Sequence, residues 1–499
     1  MKEFQGPVVS TQQGVVHGSM AEGVATFKGI PYAAPPFGPN RFQPPRPAEP
    51  WDGVREALTY GPTAPKAPYV PPFDVLIPEP TIPGEDCLNL NVWTPDLGPA
   101  RLPVMVWMYG GAFRNGSSAV PTYDGTRFAR AGVVCVTINY RLGADGFLSL
   151  GDGIANLGLL DQVAALTWVQ ENIAAFGGDP TNVTIFGESS GAVCVATLMT
   201  MPRATGLFRR AIAQSVSDYA IAPATAQRIG HYLAEKLGVE PTRQAIGTVP
   251  IDRLVQAQQG VEADITTNPD PSRWGEVATY RLPFGPVIDG DLLSARPINS
   301  MAAGAGANID VLVGTNADEY RLWLVPTGMI NAVNEQMLST FVTVYGPPVA
   351  ETLATYRATR KDATPGDLLA AFATDLAYRI PAIRMAEAHT QQGAGATYLY
   401  EFAWPSPTFD GRLGACHLIE LPFVFDNLDK ECFEGLVGTN PPQQVADAMH
   451  AAWVAFATSG NPGWPEFDLK RRATMRFDTT SELVDDPRSA ERVLWEGRR

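Results

Sequence analysis

The chain has 499 residues, 45% of them hydrophobic and 18% charged, with a formal net charge of −15; such a composition excludes a disordered chain and can fill a sizeable core. A negative field of that size repels a phosphate backbone and so excludes nucleic acid as a partner. No stretch reaches the roughly 18 uninterrupted apolar residues of a membrane span, and the start, Met1-Lys-Glu-Phe-Gln-Gly-Pro, lacks the apolar core of a secretion signal.

The five cysteines (Cys87, Cys135, Cys194, Cys416 and Cys432) are an odd number, scattered and without a CxxC pair, which predicts free thiols in a reducing compartment. The expectation is a cytoplasmic protein without a membrane anchor.

Residues 8–30 read as an antiparallel meander of three short runs, Val8-Val-Ser, Gly14-Val-Val-His-Gly and Val24 to Ile30, separated by turn residues. From Pro31 to Pro83 proline is too dense for a central strand or a long helix, so this segment is expected to wrap the surface as ordered loops. Strands resume at 88–93 and 104–108. The second is almost wholly apolar, as a strand covered on both faces must be, and it runs into Tyr109-Gly-Gly-Ala-Phe113. Another buried strand spans 132–139, and a helix over about 158–175 presents Leu159, Leu160, Val163, Ala164, Leu166, Trp168 and Ile173 on one face.

Further strands are predicted at 183–186, 211–216, 311–314 and 397–402, with a helix at about 443–458. The alternation of strand and helix predicts an α/β fold with a largely parallel central sheet flanked by helices. One domain is expected over 1–499. Helical insertions at about 218–283 and 325–393 would lie over the carboxyl edge of the sheet, where open α/β folds bind ligands.

The chemistry centres on Gly187-Glu-Ser189-Ser-Gly191, set between the strand at 183–186 and an apolar helix from Ala192. Gly-x-Ser-x-Gly at a strand-to-helix joint is a nucleophile elbow, which lifts the serine hydroxyl above the sheet. A serine needs a base to take its proton, usually His. Of the five histidines, His17 lies in the first meander, and His231, His389 and His450 lie in helical patterns among alanines and charges. His417, in the loop Gly414-Ala-Cys-His417 before a strongly apolar run, remains by elimination.

The base in turn needs a carboxylate on its other nitrogen, and in α/β-hydrolases this acid lies between the serine and the histidine in the chain. Asp318 and Glu319, directly after a strand, are the candidates, with Asp289 and Asp291 as competitors. Pattern alone does not choose between Asp318 and Glu319. Gly110-Gly111-Ala112, following a buried strand, fits a glycine-rich loop whose N–H groups stabilise an oxyanion, with the N–H of Ser190 as a further donor.

These segments together resemble the type-B carboxylesterase/cholinesterase family of the α/β-hydrolase fold, nearly end to end. Phe27-Lys-Gly-Ile-Pro-Tyr-Ala-Ala-Pro-Pro36 with Arg41-Phe42 is similar to the amino-terminal signature of the family, Glu85-Asp-Cys-Leu-Asn-Leu-Asn91 to its second signature, and Phe176-Gly-Gly-Asp-Pro180 through Gly191 to its active-site signature. The absence of a signal peptide and of paired cysteines resembles the bacterial, p-nitrobenzyl-esterase-like branch. The resemblance implies Glu319 as the acid, through Gly314-Thr-Asn-Ala-Asp-Glu319, and His417 as the base. It implies Gly111, Ala112 and Ser190 as oxyanion donors, Ser215 as a serine near the triad, and structural ion pairs Arg41–Glu85 and Arg141–Asp161.

Departures from the family pattern are Tyr109 for a common His, Ala112 for a third glycine, Ser190 for Ala, Val216 for Gly and Tyr320 for Gly. No cysteine precedes Cys87, which is disulfide-bonded in secreted relatives. The loop 62–84 has no Trp, its aromatics being Tyr69 and Phe73, so a choline site is not implied. What is implied is a serine carboxylesterase acting on small carboxylic esters, short-chain or aryl, with water as co-substrate. It needs no metal or organic cofactor and works as a monomer or small homo-oligomer. Carbamate, amide or lipase-type specificity on the same machinery is the alternative, and a non-catalytic cholinesterase-like binding protein is the rival from another class.

Overall fold

The apolar run expected at 104–108 forms the centre of the first of two units into which the chain divides in the computed structural model, which describes residues 5–498. This unit comprises the chain up to Tyr69, Glu79–Ala211 and Tyr219–Gly306. Its strands are β1 (Val8–Ser10), β2 (Val15–His17), β3 (Ser19–Ala21), β4 (Val24–Pro31), β5 (Val54–Glu56), β6 (Asn89–Thr94), β7 (Leu102–Met108), β8 (Val134–Ile138) and β9 (Gly178–Glu188).

β1, β2 and β5 make a small sheet of their own; the others lie in the order β9-β7-β8-β6-β4-β3. β7 pairs in parallel with β8 on one side and β9 on the other, while β6, β4 and β3 continue antiparallel. Flanked by strands and covered by helix Ser190–Thr200, residues Val104 to Met108 are completely buried, which is why the sequence shows no alternation there.

The second unit comprises Val70–Pro78, Ile212–Asp218 and the chain from Ala307 onward. It holds the end of β10 (Arg210–Gln214), then β11 (Asp310–Asn316), β12 (Thr397–Phe402), β13 (Ala473–Phe477) and β14 (Glu482–Asp485). β11, β12 and β13 are parallel and β14 closes antiparallel. Helices fill the two stretches read as helical, among them Pro223–Leu237 and Ile251–Thr267 in the first unit and Glu335–Tyr345, Val349–Thr359 and Ile380–Thr390 in the second. No helix among the described residues is long and apolar enough to cross a membrane. The five cysteines are unpaired, and all but Cys432 are fully buried.

Several local expectations change. The opening meander splits, β2 pairing with β1 on one side and β5 on the other while β4 joins the larger sheet through β6. Helix Leu157–Asn172 buries Asp161 and Gln162 and leaves Val163 and Ala164 only half-buried, because Asp161 faces Arg141 rather than solvent. The Arg141 guanidinium meets that carboxylate through Nε (2.8 Å) and Nη2 (2.6 Å), and its backbone N–H adds a third bond at 3.0 Å.

The implied pair Arg41–Glu85 does not form. Arg41 Nε donates instead to Asp145 (3.1 Å) and its Nη1 to the carbonyls of Gly247 and Val249, whereas Glu85 is exposed. Asp145 and Arg41 are both nearly buried, so each offsets the desolvation of the other, which an exposed Glu85 would not.

Both members of Arg141–Asp161 are within 2% of full burial, and removing one strands the other charge. Asp161→Asn is expected to cost about 3–5 kcal/mol of stability, the penalty of an orphaned buried charge. Guanidinium unfolding of parent and variant measures it, and a loss below about 1 kcal/mol would show that Arg141 finds another partner.

Candidate active site

β9 delivers Ser189 to the start of helix Ser190–Thr200 with φ 55° and ψ −123°, a backbone conformation that costs an L-residue about 1–3 kcal/mol. The neighbours show what enforces it. A Cβ at Gly191 would lie 2.0 Å from the carbonyl oxygen of Met108, and one at Gly187 would lie 2.7 Å both from that oxygen and from the backbone of Gly191. Helix, β9 and β7 are therefore in backbone contact at the elbow, and only glycine is accommodated at positions 187 and 191, two residues before and after Ser189.

β7 ends at Met108 and leads into the glycine loop, where Gly111, Ala112 and Phe113 have φ of 122°, 58° and 58°. The turn is closed by the N–H groups of Arg114 (3.1 Å) and Asn115 (2.9 Å) donating to the Gly111 carbonyl. A Cβ at Gly110 would lie 3.1 Å from that of Ser189, so this loop rests against the elbow. Among the described residues no acceptor is found for the N–H groups of Gly111, Ala112 and Ser190. Ala112 occupies the left-handed region at a cost of about 1 kcal/mol. Tyr109 is absorbed beneath the loop: its ring stacks on Tyr140 at 4.5 Å, and each hydroxyl donates to the other's carbonyl, at 3.2 Å and 2.7 Å. The Ser190 hydroxyl is buried and finds no partner among the described residues.

Ser215, Glu319 and His417 meet in the second unit. Glu319 Oε2 lies 2.6 Å from His417 Nδ1, and Oε1 accepts from the Ser215 hydroxyl (2.5 Å) and the Asn316 N–H (2.8 Å). The His417 N–H donates back to the Glu319 carbonyl at 3.1 Å. Both side chains are buried. A carboxylate opposite Nδ1 assigns the ring proton there and leaves the lone pair of the neutral imidazole on Nε2. The rings of Trp323 and Tyr378 stand 4.9 Å and 4.8 Å from that of His417.

The competing residues are occupied elsewhere. Asp318 is half-exposed and engages Arg321 (3.3 Å) and the Ala415 N–H (3.2 Å). Asp289 accepts three N–H groups of its own turn and Asn156, and Asp291 is exposed. His17 pairs with Glu56 (2.9 Å), His389 with the Thr397 hydroxyl (2.8 Å) and His450 with the Val424 carbonyl (2.8 Å), while His231 is exposed. Among the described residues no group of three or more His, Cys, Asp or Glu could hold a metal ion.

Sequence reasoning passed over Glu420. It is completely buried and accepts from Asn316 Nδ2 (2.6 Å) and Gln214 Nε2 (3.1 Å), with Gln214 held in turn by the Trp453 indole at 3.0 Å. Burial, then repulsion from Glu319, push its carboxyl up from an ordinary 4.5 to about 7, against the opposing pull of the Asn316 hydrogen bond and of His417. The sequence offered only an acid three residues past His417 inside an otherwise apolar run, which says nothing by itself of its burial.

The profile of the carboxylesterase family matches residues 5–495. The chain is 37% identical to a para-nitrobenzyl esterase of Bacillus subtilis (strain 168), over 97% of each protein, and 36% identical to a phenmedipham hydrolase of Pseudarthrobacter oxydans, over 97% of this chain and 96% of that one. Its fold superposes on the crystal structure of Geobacillus stearothermophilus carboxylesterase EST55 at pH 6.2 with a TM-score of 0.85, 38% identity and coverage of 98% of this chain and all of that one. These neighbours share the α/β-hydrolase fold, with its mostly parallel sheet between helices.

A carboxyl raised by burial binds its proton more tightly folded than unfolded, so between its ordinary value of 4.5 and about 7 the contribution of Glu420 to stability falls as pH rises. Glu420→Gln, which cannot ionise, is expected to flatten the stability curve over that window. Unfolding midpoints at pH 5, 6 and 7 read the change; parallel curves for parent and variant would refute it.

Proposed function

The chain belongs to the carboxylesterase family and is a carboxylic ester hydrolase, and we propose that it works through an acyl-enzyme on Ser189, with His417 as base and Glu319 as the acid that orients it. The Ser189 oxygen attacks the ester carbonyl carbon while His417 Nε2 takes the hydroxyl proton. The carbonyl oxygen, now carrying the negative charge, accepts hydrogen bonds from the N–H groups of Gly111, Ala112 and Ser190, each such donor worth about 3 kcal/mol of barrier. His417 returns the proton to the leaving alkoxide as the C–O bond breaks. Water then attacks the acyl-enzyme with His417 again taking and delivering the proton, which frees the acid and restores the Ser189 hydroxyl.

The single observation behind this reading is the 2.6 Å contact of Glu319 with His417 Nδ1, since a buried carboxylate on that nitrogen prepares the other for proton transfer. Short-chain and aryl esters are the proposed substrates, with broad tolerance. The aromatic surface of Trp323 and Tyr378 beside the base supports this, as does the relative named for a para-nitrobenzyl ester. The unpaired cysteines support a cytoplasmic setting.

Ser189→Ala is expected to lower kcat for p-nitrophenyl acetate by at least about 1,000-fold with the melting temperature retained. The parent should release a burst of p-nitrophenol equal to the enzyme concentration; substantial residual turnover in the variant, or no turnover in the parent, would sink the assignment. Trp323→Ala should lower kcat/KM for phenyl esters up to about tenfold more than for the matching ethyl esters, the scale of one lost aromatic contact. Equal losses would remove Trp323 from substrate selection.

A further inference from the structure

The proline-rich segment folds as a loop whose two arms are joined by buried polar groups. At its neck the Thr63 N–H donates to the Ile82 carbonyl (3.0 Å) and the Ile82 N–H to the Thr63 hydroxyl (3.1 Å). Three residues further in, Lys66 Nζ lies 3.1 Å from Glu79 Oε1 and 3.0 Å from the Pro80 carbonyl oxygen. The Lys66 side chain is 0% exposed and that of Glu79 8%. A fully buried ammonium survives only with a carboxylate and further acceptors around it. Burial pulls the Lys66 ammonium below its ordinary value while Glu79 opposes that pull.

The same carboxylate reaches the glycine loop. Glu79 accepts the Gly116 N–H at 3.0 Å and 3.3 Å through its two oxygens, and the neighbouring Asn115 donates its side-chain amide to the Ala67 carbonyl at 2.7 Å. Two consecutive residues at the end of the glycine loop are therefore clasped by the two arms of the proline-rich loop.

Planarity of the peptide bond carries this hold to the donors. The Gly111 N–H shares a peptide plane with the Gly110 carbonyl, and the Ala112 N–H shares one with the Gly111 carbonyl. The Gly111 carbonyl is fixed by the N–H groups of Arg114 and Asn115. The Gly110 carbonyl abuts Gly116 so closely that a Cβ there would lie 2.3 Å from its oxygen. Moving Asn115 and Gly116 would turn both planes.

We infer that Glu79 is a positioning residue for hydrolysis: its side-chain oxygen, on an arm joined to the other through Lys66, clamps Gly116 and thereby aims the N–H groups of Gly111 and Ala112 at the oxyanion. The inference rests on the oxyanion role proposed for those groups. It assigns a function to a loop that touches neither Ser189 nor the acid–base pair by any bond described above.

Two double variants isolate the clamp from the cost of a stranded charge. Lys66→Met/Glu79→Gln removes both charges and keeps an amide oxygen for the Gly116 N–H; Lys66→Met/Glu79→Leu removes the acceptor as well. The glutamine variant is expected to stay within about threefold of the parent in kcat, and the leucine variant to lose about 10- to 100-fold in kcat with KM within about threefold, the signature of misaimed donors rather than lost binding. Hydrogen exchange on peptides covering residues 110–116 should be slow in the parent and the glutamine variant and fast in the leucine variant. Equal kcat in the two variants would overturn the inference while leaving the parent's esterase activity in place, and a parent without turnover would instead overturn the oxyanion reading. If the leucine variant does not fold, the parent alone still decides: a Gly116 amide exchanging as fast as exposed loop amides would refute the clamp.

Discussion

Everything at the elbow follows from one close approach, the carbonyl oxygen of Met108 against Gly191, where a Cβ would stand at 2.0 Å. The helix carrying Gly191 can come that near β7 only because residues 187 and 191 have no side chains. The chain must then turn through Ser189 at φ 55° to pass from β9 into the helix. The strain is local, and the buried strands around it are what make it sustainable. The same contact brings the end of β7 beside the elbow, and the loop that continues from β7 is the one with outward N–H groups. The proposed nucleophile and its proposed donors are thus consequences of one packing constraint rather than separate inventions.

The second unit solves a different problem, how to keep carboxylates in an apolar interior. Glu319 spends both oxygens on the His417 ring, the Ser215 hydroxyl and the Asn316 N–H. Glu420 receives two side-chain amides, from Asn316 and Gln214, and repulsion from Glu319 adds to burial in raising its carboxyl. Asn316 serves both acids, its backbone N–H on one and its side chain on the other. A change at Asn316 would therefore reach Glu319 and Glu420 together, whereas a change at Gln214 would reach only the second.

What could be read from the chain was what local physics decides. The strand at 397–402 is recovered to the residue and the strand at 104–108 nearly so, because an uninterrupted apolar or aromatic run has few other uses. β13 and β14 went unseen since both are short, β14 is exposed at its ends and charged, and Arg476 of β13 faces Glu482 across the pair. β3, exposed along its whole length, gave no signal either. The helix over Leu157–Asn172 was found, but its apolar stripe misled about which face is buried, since the stripe alone makes Asp161 a solvent residue and only the family resemblance paired it with Arg141, as the structure does. The partner of Arg41 was lost for the same reason: Asp145 is 104 positions away, a choice that tertiary structure makes. His417 was reached by elimination and Glu319 and Ser215 only through the family resemblance, and the three meet in the structure; Glu420 was not singled out, because a lone acid near a histidine reads as solvated until its burial is known.

The departures from the family pattern fall on side chains, and the proposed oxyanion chemistry is carried by backbone. Ala112 keeps an N–H and accepts φ 58° in place of glycine; Ser190 keeps an N–H at the first turn of its helix; Tyr109 contributes a stacked ring and leaves the loop above it to its own hydrogen bonds. Tyr320 turns its ring to Trp323 at 5.1 Å, and its N–H to the Thr374 hydroxyl, so it extends the aromatic surface beside His417 without entering the Glu319 bonds. A backbone donor is indifferent to the side chain attached to it as long as the φ it needs remains affordable and its peptide plane is held. That leaves residues around the donors free to vary and concentrates the constraint on whatever fixes the planes, here the clasp at Asn115 and Gly116 and the crowding at Gly191.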